Sequence, residues 1–315
     1  MARKLAPRMA FALISTLIVV ACGNVLVQVE PVNVPNEAVV EVETTVAVTA
    51  TTTAPGVCDS TFSISSEGVV EDDRLDEISG VAWASADPGV LWVHNDSGDV
   101  PRVFAVGLDG QTKSVHELAG AKARDWEDMA ISDGVVYIGD IGDNKSKRDA
   151  IRIFRFAEPS LDVGGSIEDY DVLEFTYPDG PTDAEGLFVS PAGGLVVVTK
   201  DPDGGARFYA TPSDLAWDGS QRELEFAGEL DLLPIEWVTA ADANSDRLVL
   251  RTYLNIVAYP WPEGWTLDQV LEQRPCRLEA PREPQGEALA LDSDGAYVTV
   301  SEGLKSTIYI GRKAR

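Results

Sequence analysis

The sequence predicts an all-β fold: a β-propeller of four-stranded blades, five in number, with the ring closed by an N-terminal outer strand. Three observations lead there. Five short segments share a register, each starting polar or acidic and running into an apolar strand. Each is followed by further β-rich runs set apart by turns rich in Gly, Asp or Ser. The period also fits the length. Ser79, Glu127, Glu185, Thr239 and Glu287 stand 48, 58, 54 and 48 residues apart, and 58–315 holds 258 residues, close to five periods of about 52. A repeat too small to bury its own faces must stack on neighbours, and four antiparallel strands per repeat is the grammar of a propeller blade. Six blades is the alternative, should one long connection hide a further sheet.

The inner strands begin at Glu77-Ile-Ser79-Gly80-Val81-Ala82, Asp125-Trp126-Glu127-Asp128-Met129-Ala130, Asp183-Ala184-Glu185-Gly186-Leu187-Phe188, Trp237-Val238-Thr239-Ala240-Ala241 and Gln285-Gly286-Glu287-Ala288-Leu289-Ala290. Second strands follow at Val90–Val93, Val135–Ile138, Leu195–Val198, Arg247–Leu250 and Ala296–Val300. Third strands follow at Arg102–Val106, Ile151–Phe156, Arg207–Ala210, Asn255–Tyr259 and Thr307–Ile310. Their β-branched and aromatic content supports the reading. Fourth strands are more polar: Ser114–Leu118, Val172–Tyr177, Glu223–Leu230 and Cys276–Ala280. The fifth unit has none, because the sequence stops at Arg315, and the orphan run Thr61–Ser66 is expected to complete it.

Ahead of the propeller lie two segments. Residues 1–21 read as a lipoprotein signal peptide: Arg3, Lys4 and Arg8, then the apolar run Met9–Val20, then Val19-Val20-Ala21-Cys22. The run is short for a membrane span. The ending resembles the bacterial lipobox, which implies acylation of Cys22 by a chain such as palmitate; an ordinary signal peptide cut nearby is the alternative. Residues 22–57 hold Val, Thr, Ala, Pro and Glu but no Lys, Arg or aromatic residue, and read as a flexible tether. The protein is therefore expected to be exported, anchored to the cell membrane by its lipid alone, and monomeric. With Cys22 acylated, Cys58 and Cys276 remain, and an even remainder in an exported chain reads as a disulfide. Two separate thiols is the other reading. Ring closure places Cys58 before the outer strand of blade five and Cys276 at the outer strand of blade four, so a bond would pin the returning strand.

The formal net charge is −27, with 52 acidic and 25 basic residues. That excludes nucleic acid as a partner, since phosphate binding needs clustered Lys and Arg, and it argues against docking on an anionic leaflet. Most of the excess belongs to the propeller. Up-and-down connectivity brings the starts of the inner strands and the ends of the second strands to one face of the disc. Glu127, Glu185, Glu287 and Asp140 are the expected metal ligands there, because crowded carboxylates repel and Ca²⁺ accepts six to eight oxygens in irregular geometry. The bland reading has each Glu accept backbone N–H groups from the next blade. Asn95, Asp96, Asp143, Asn144, Lys200, Arg251 and Glu302 share the face and are expected to contact a ligand or protein partner. Asp140-Ile141-Gly142-Asp143-Asn144 is the least repetitive element, and a plain solvated loop is its other reading. Arg251 and Lys200 would hold an anion, or Arg251 would neutralise a neighbouring Glu. Catalytic candidates are His94, Glu127, Glu185 and Asp140. His116 falls on an outer strand and is expected at the surface. The sequence has no Gly-x-Ser-x-Gly elbow, phosphate loop, dinucleotide fingerprint, CxxC or HExxH.

Asp125-Trp126-Glu127-Asp128-Met129-Ala130, with Gly139-Asp140-Ile141-Gly142-Asp143-Asn144 and Arg148, resembles an uncharacterised group of exported bacterial β-propeller lipoproteins. Val238-Thr239-Ala240-Ala241-Asp242, Arg251-Thr252-Tyr253, and Gln285-Gly286-Glu287 with Ser301-Glu302-Gly303 resemble the later blades of that group, which brings no established activity. More distantly, Asp183-Ala184-Glu185-Gly186-Leu187 is similar to the repeat of phytase-like and lactonase-like propellers, which implies Ca²⁺ and a phosphoester or ester substrate. Two functions follow. One is a propeller presenting an acidic, Ca²⁺-binding channel face to a ligand or partner. The other is a Ca²⁺-dependent hydrolase of a phosphoester or a lactone or other ester.

Overall fold

The computed structural model describes residues 57–314. The signal peptide, Cys22 and all but the last residue of the tether lie outside the described residues. Five sheets form five blades. After a short 3₁₀ turn at Val57–Asp59 and strand β1 (Phe62–Val69), blade one holds β2 (Ile78–Trp83), β3 (Val90–Asn95), β4 (Arg102–Gly107) and β5 (Thr112–Leu118). Blade two holds β6 (Trp126–Ser132), β7 (Val135–Asp140) and β8 (Ile151–Ala157); β9 (Gly165–Ile167) intervenes before its fourth strand, β10 (Asp171–Thr176). Blade three holds β11 (Ala184–Val189), β12 (Leu195–Thr199) and β13 (Ala206–Ala210); β14 (Arg222–Glu223) intervenes before its fourth strand, β15 (Glu225–Leu230). Blade four holds β16 (Val238–Asn244), β17 (Arg247–Thr252), β18 (Ile256–Pro260) and, after helix α1 (Leu267–Leu271), β19 (Cys276–Leu278). Blade five holds β20 (Gly286–Leu291), β21 (Tyr297–Ser301) and β22 (Thr307–Lys313), with β1 as its outermost strand.

The ring closes as expected. β1 runs antiparallel to β22, from Phe62 opposite Lys313 to Val69 opposite Thr307. The blade count is visible in the packing too. There are five apolar clusters, and each lies between two adjacent blades: five with one, one with two, two with three, three with four and four with five. Strands covered on both faces read as continuous apolar runs rather than alternating ones. β3, β17 and β20 are buried along their whole length. Cys58 and Cys276 form a disulfide with Cα atoms 5.3 Å apart, tying the segment before β1 to the outer strand of blade four.

Three details differ from the sequence expectation. The run Glu223–Leu230 is not one strand. Leu224 is buried between blades two and three and donates its N–H to Thr176 O at 2.9 Å, so β14 pairs in parallel with β10 and only β15 belongs to blade three. β9 likewise adds in parallel to β5, giving blades one and two a fifth strand. That strand also corrects His116. It is buried, with a ring nitrogen 2.8 Å from Ser160 O and its ring 5.7 Å from that of Trp92, because the connection carrying β9 covers the outer edge of blade one.

Candidate functional site

The register residues have a common backbone cause. In every inner strand the pairing slips by one residue, between Ile78 and Gly80, Trp126 and Asp128, Ala184 and Gly186, Val238 and Ala240, and Gly286 and Ala288. Ser79, Glu127, Glu185, Thr239 and Glu287 are therefore the unpaired residues of five equivalent β-bulges. A bulge bends the strand and re-aims its side chain, here once per blade at the same end of the disc. Blades one and four fill the position with hydroxyls that donate to the next blade's backbone: Ser79 Oγ to Glu127 O at 2.5 Å and Thr239 Oγ1 to Gly286 O at 2.9 Å. Blades two, three and five place carboxylates there.

The three glutamates have different partners. Glu185 accepts from Lys200 Nζ at 2.5 Å, and Lys200 also donates to Tyr253 Oη at 2.9 Å. Burial opposes the Lys200 charge, but Glu185 and the surrounding carboxylates hold the ammonium above its usual range. Glu287 accepts from Gln285 Nε2 at 3.1 Å, and the same amide donates to Glu302. Burial, with Glu287, Asp96 and Glu77 nearby, pushes Glu302 up to about 7. Glu127 has no ion-pair partner among the described residues. It is 3% exposed, and its nearest donor is Ser79 Oγ at 3.4 Å. Burial raises its carboxyl well above the usual range, and Glu185, Asp96, Asp125 and Asp183 raise it further.

Asp96, after β3, and Asp125, before β6, complete the feature. One oxygen each from Asp96, Asp125 and Glu127 lies within 4.8 Å of the other two. Burial pushes Asp96 up to about 6, with Asp125, Glu77 and Glu287 contributing, and burial raises Asp125 as well. Gly142 faces this cluster. A Cβ there would lie 2.0 Å from Glu127 Oε1 and 2.8 Å from the Asp125 carboxyl, so only a glycine leaves the carboxylates their room.

Of the four expected metal ligands, Glu127 alone belongs to this cluster. Asp140 is fully buried and paired with Arg148, Nη1 to Oδ1 at 2.8 Å, while its Oδ1 also accepts the Asp125 N–H at 3.1 Å. Asp143 is spent on its own loop, accepting from the Lys147 and Arg148 N–H groups at 2.5 and 2.6 Å. The loop is thus an ordered scaffold around Arg148 rather than a solvated one. Arg251 does not reach a ligand either. It is 1% exposed and paired at 2.7 Å with Glu283, beneath Gly286, where a Cβ would collide with its guanidinium. Asn95 is turned inward and donates to Arg74 O at 2.6 Å. His94 lies under Gly80 with no exposure, its Nδ1 2.9 Å from Asn95 O, and burial pushes it down to about 4, so it is a neutral core residue and not an accessible base. Asn144 is exposed at the mouth.

Backbone N–H groups of neighbouring blades are met by residues that the sequence reading passed over. Asp128, fully buried, accepts from Leu187 at 2.9 Å and Ala241 at 3.2 Å, joining the inner strands of blades two, three and four. Asp242 accepts from Leu291 at 2.7 Å, joining blade four to blade five. Up-and-down connectivity places Asp125 and Asp128 on the acidic face, although neither is among the expected ligands; Trp237 opens the blade-four segment and is not among the expected site residues. The signal for Asp125 is its place two residues before a bulge position.

No protein-family model matches the chain, and no curated protein matches it. Solved structures do. The chain is similar to the PQQ-bound aldose sugar dehydrogenase of Streptomyces coelicolor, at 12% identity and a TM-score of 0.48 over 82% of this chain and 99% of that one. It is similar to the glutaminyl cyclase of Myxococcus xanthus, at 9% identity and 0.46 over 81% and 99%. It is also similar to a catalytically inactive virginiamycin B lyase from Staphylococcus aureus with quinupristin, at 13% and 0.41 over 76% and 82%. The blade count rests on strand order and not on these likenesses.

Proposed function

We propose that this is an exported, lipid-anchored propeller whose channel mouth binds Ca²⁺ through Asp96, Asp125 and Glu127 and presents a ligand-binding face around it. The observation that carries the reading is the convergence of three carboxylates, one of them buried, with no basic side chain paired to any of them among the described residues. Calcium–oxygen distances of about 2.3–2.6 Å allow ligands up to about 5 Å apart, and these oxygens all lie within 4.8 Å of one another. Burial raises all three groups and the neighbouring carboxylates add to it; a divalent ion would offset both. Export and anchoring are supported by the basic, apolar and Cys22 order of the first 22 residues.

A Ca²⁺-dependent hydrolase of a phosphoester or lactone would keep Glu127 and Glu185. It loses His94 and Asp140 to burial and Arg251 to Glu283, so binding is the better supported function. Calorimetry of the chain with Ca²⁺ tests this. One event with Kd below about 1 mM, the range of extracellular modules, is expected, with loss in Glu127→Gln and Asp125→Asn. No heat at that concentration overturns it.

A further inference from the structure

A shallow hollow of about 180 Å³ adjoins the acid cluster where blades two, three and four meet. Asn144 and Ser146 line it from the blade-two loop, Asp183 from the approach to β11, Lys200 and Pro202 from the end of β12, and Trp237 from the approach to β16. Its wall is held in place. Trp237 Nε1 donates to Pro202 O at 3.3 Å, and the indole packs edge-on against Tyr253, with ring centroids 6.1 Å apart. At about 180 Å³ the hollow is below the roughly 300–1,000 Å³ of drug-sized pockets, so it has room for a head group rather than a large body.

The surroundings specify which kind. Trp237 is 36% exposed, so part of its indole is open to a ligand in the hollow. The one ammonium in the wall is already matched, since Lys200 sits 2.5 Å from Glu185. Asp183 has no ion-pair partner among the described residues, and it accepts the Asp143 N–H at 2.6 Å. Its charge reaches Asp125 and Glu127. With the Lys200 ammonium held by Glu185, an anion here would meet an excess of like charge, and a neutral apolar body would leave Asp183 unanswered. A cation gains twice, from the face of an indole and from the carboxylates.

We infer that this hollow binds an organic cation, an ammonium or guanidinium group on a small apolar body, with Trp237 as platform and Asp183 as counter-charge. The inference rests on the mouth being a ligand face; it does not need the metal. If Ca²⁺ occupies Asp96, Asp125 and Glu127, the two cations repel and each weakens the other by the same factor.

The test is a fluorescence titration of the full chain with three probes of one shape: n-hexylamine, n-hexanol and n-hexanoate. Hexylamine is expected to quench the Trp237 component, identified by difference from Trp237→Ala, with Kd at least tenfold below those of the other two. Read by calorimetry, Asp183→Asn is expected to weaken hexylamine binding about tenfold and Trp237→Leu to abolish it, with far-UV circular dichroism unchanged. Equal binding of hexanol, tighter binding of hexanoate, or no quench by hexylamine at 50 mM each overturns the inference. So does a free hexose binding where hexylamine does not. Hexylamine binding with no Ca²⁺ heat sinks the metal and keeps this site; Ca²⁺ heat without hexylamine binding does the reverse.

Discussion

Gly142→Ala places one methyl group against the carboxylates proposed to hold the metal, and its effect can be worked from distances. The new Cβ would lie 2.0 Å from Glu127 Oε1, whereas real Cβ atoms essentially never approach a neighbour closer than 3.0 Å. The Glu127 oxygen must therefore retreat by at least 1 Å, or the loop must. The same methyl would press on Asp125 at 2.8 Å. The three oxygens lie within 4.8 Å of one another, inside the roughly 5 Å that opposed Ca²⁺ ligands allow. A shift of about 1 Å is large against Ca²⁺–oxygen distances of about 2.3–2.6 Å and displaces Glu127 as a ligand. Misplacing a ligand through its surroundings typically costs 10–100-fold in metal affinity, or about 1.4–2.7 kcal/mol. The overpacking itself should cost about 1–3 kcal/mol of stability. Calorimetry with Ca²⁺ reads the first effect and urea denaturation the second. A double-mutant cycle with Glu127→Gln separates them: once that carboxylate is gone, the methyl should cost only the smaller share of affinity that it takes through Asp125. Wild-type Ca²⁺ affinity in Gly142→Ala, together with the expected loss of stability, would refute the placement of Glu127 in a metal site.

Three further outcomes test the scaffold. Cys58→Ser with Cys276→Ser releases a constraint spanning 218 residues of sequence; chain entropy puts the loss at about 5 kcal/mol, a fall in Tm of about 10–20 °C for a domain of this size, read by calorimetric melting. Asp242 is pushed by burial from 3.8 to about 7 against the pull of the Leu291 and Ala243 N–H groups. The folded state then holds a proton that the unfolded state releases, so the contribution is full below pH 4 and lost as pH rises through 7, about 4 kcal/mol in all; Asp242→Asn should flatten the urea midpoint between pH 4.5 and 7.5. Glu283→Ala should cost about 3–5 kcal/mol by leaving Arg251 buried without a counter-charge, and Arg251→Met combined with Glu283→Met should recover most of it.

What the sequence made legible follows from what every blade needs. Each inner strand carries a bulge at one position, so the register Ser79, Glu127, Glu185, Thr239, Glu287 recurs even though the residue type does not. The outer strand Thr61–Ser66 was legible because a ring leaves no place for an orphan. β9 and β14 were not, because three and two residues are too few to show a period and both pair in parallel outside their own hairpins. Helix α1 carries a signal that went unused: Thr266-Leu267-Asp268-Gln269 has capping-box spacing, and Gln269 Oε1 accepts the Thr266 N–H at 3.1 Å. At the site, sharing a face proved weaker than having a partner. Asp140 and Arg251 stand at the ends of second strands as expected, but Arg148, eight residues on, folds back over the one, and Glu283, from the next connection, covers the other.

The site is therefore defined by broken symmetry. A bulge residue points its side chain toward the channel without a backbone partner across the strand pair, so a charge there must be answered by something other than the sheet. Blades one and four avoid the demand with Ser79 and Thr239, whose hydroxyls bond a neighbouring carbonyl. Blade three answers it with Lys200, and blade five with the neutral amide of Gln285. Blade two answers it with nothing of the kind, and adds Asp125 beside Glu127 while blade one contributes Asp96. Two more acids at a bulge whose carboxylate has neither an ion pair nor a bonded amide would be a liability in a purely structural repeat. Gly142, where any side chain would collide with Glu127 and Asp125, keeps that liability in place. A position where like charges are gathered, buried and given room is what a bound cation requires, and a structural role gains nothing from it.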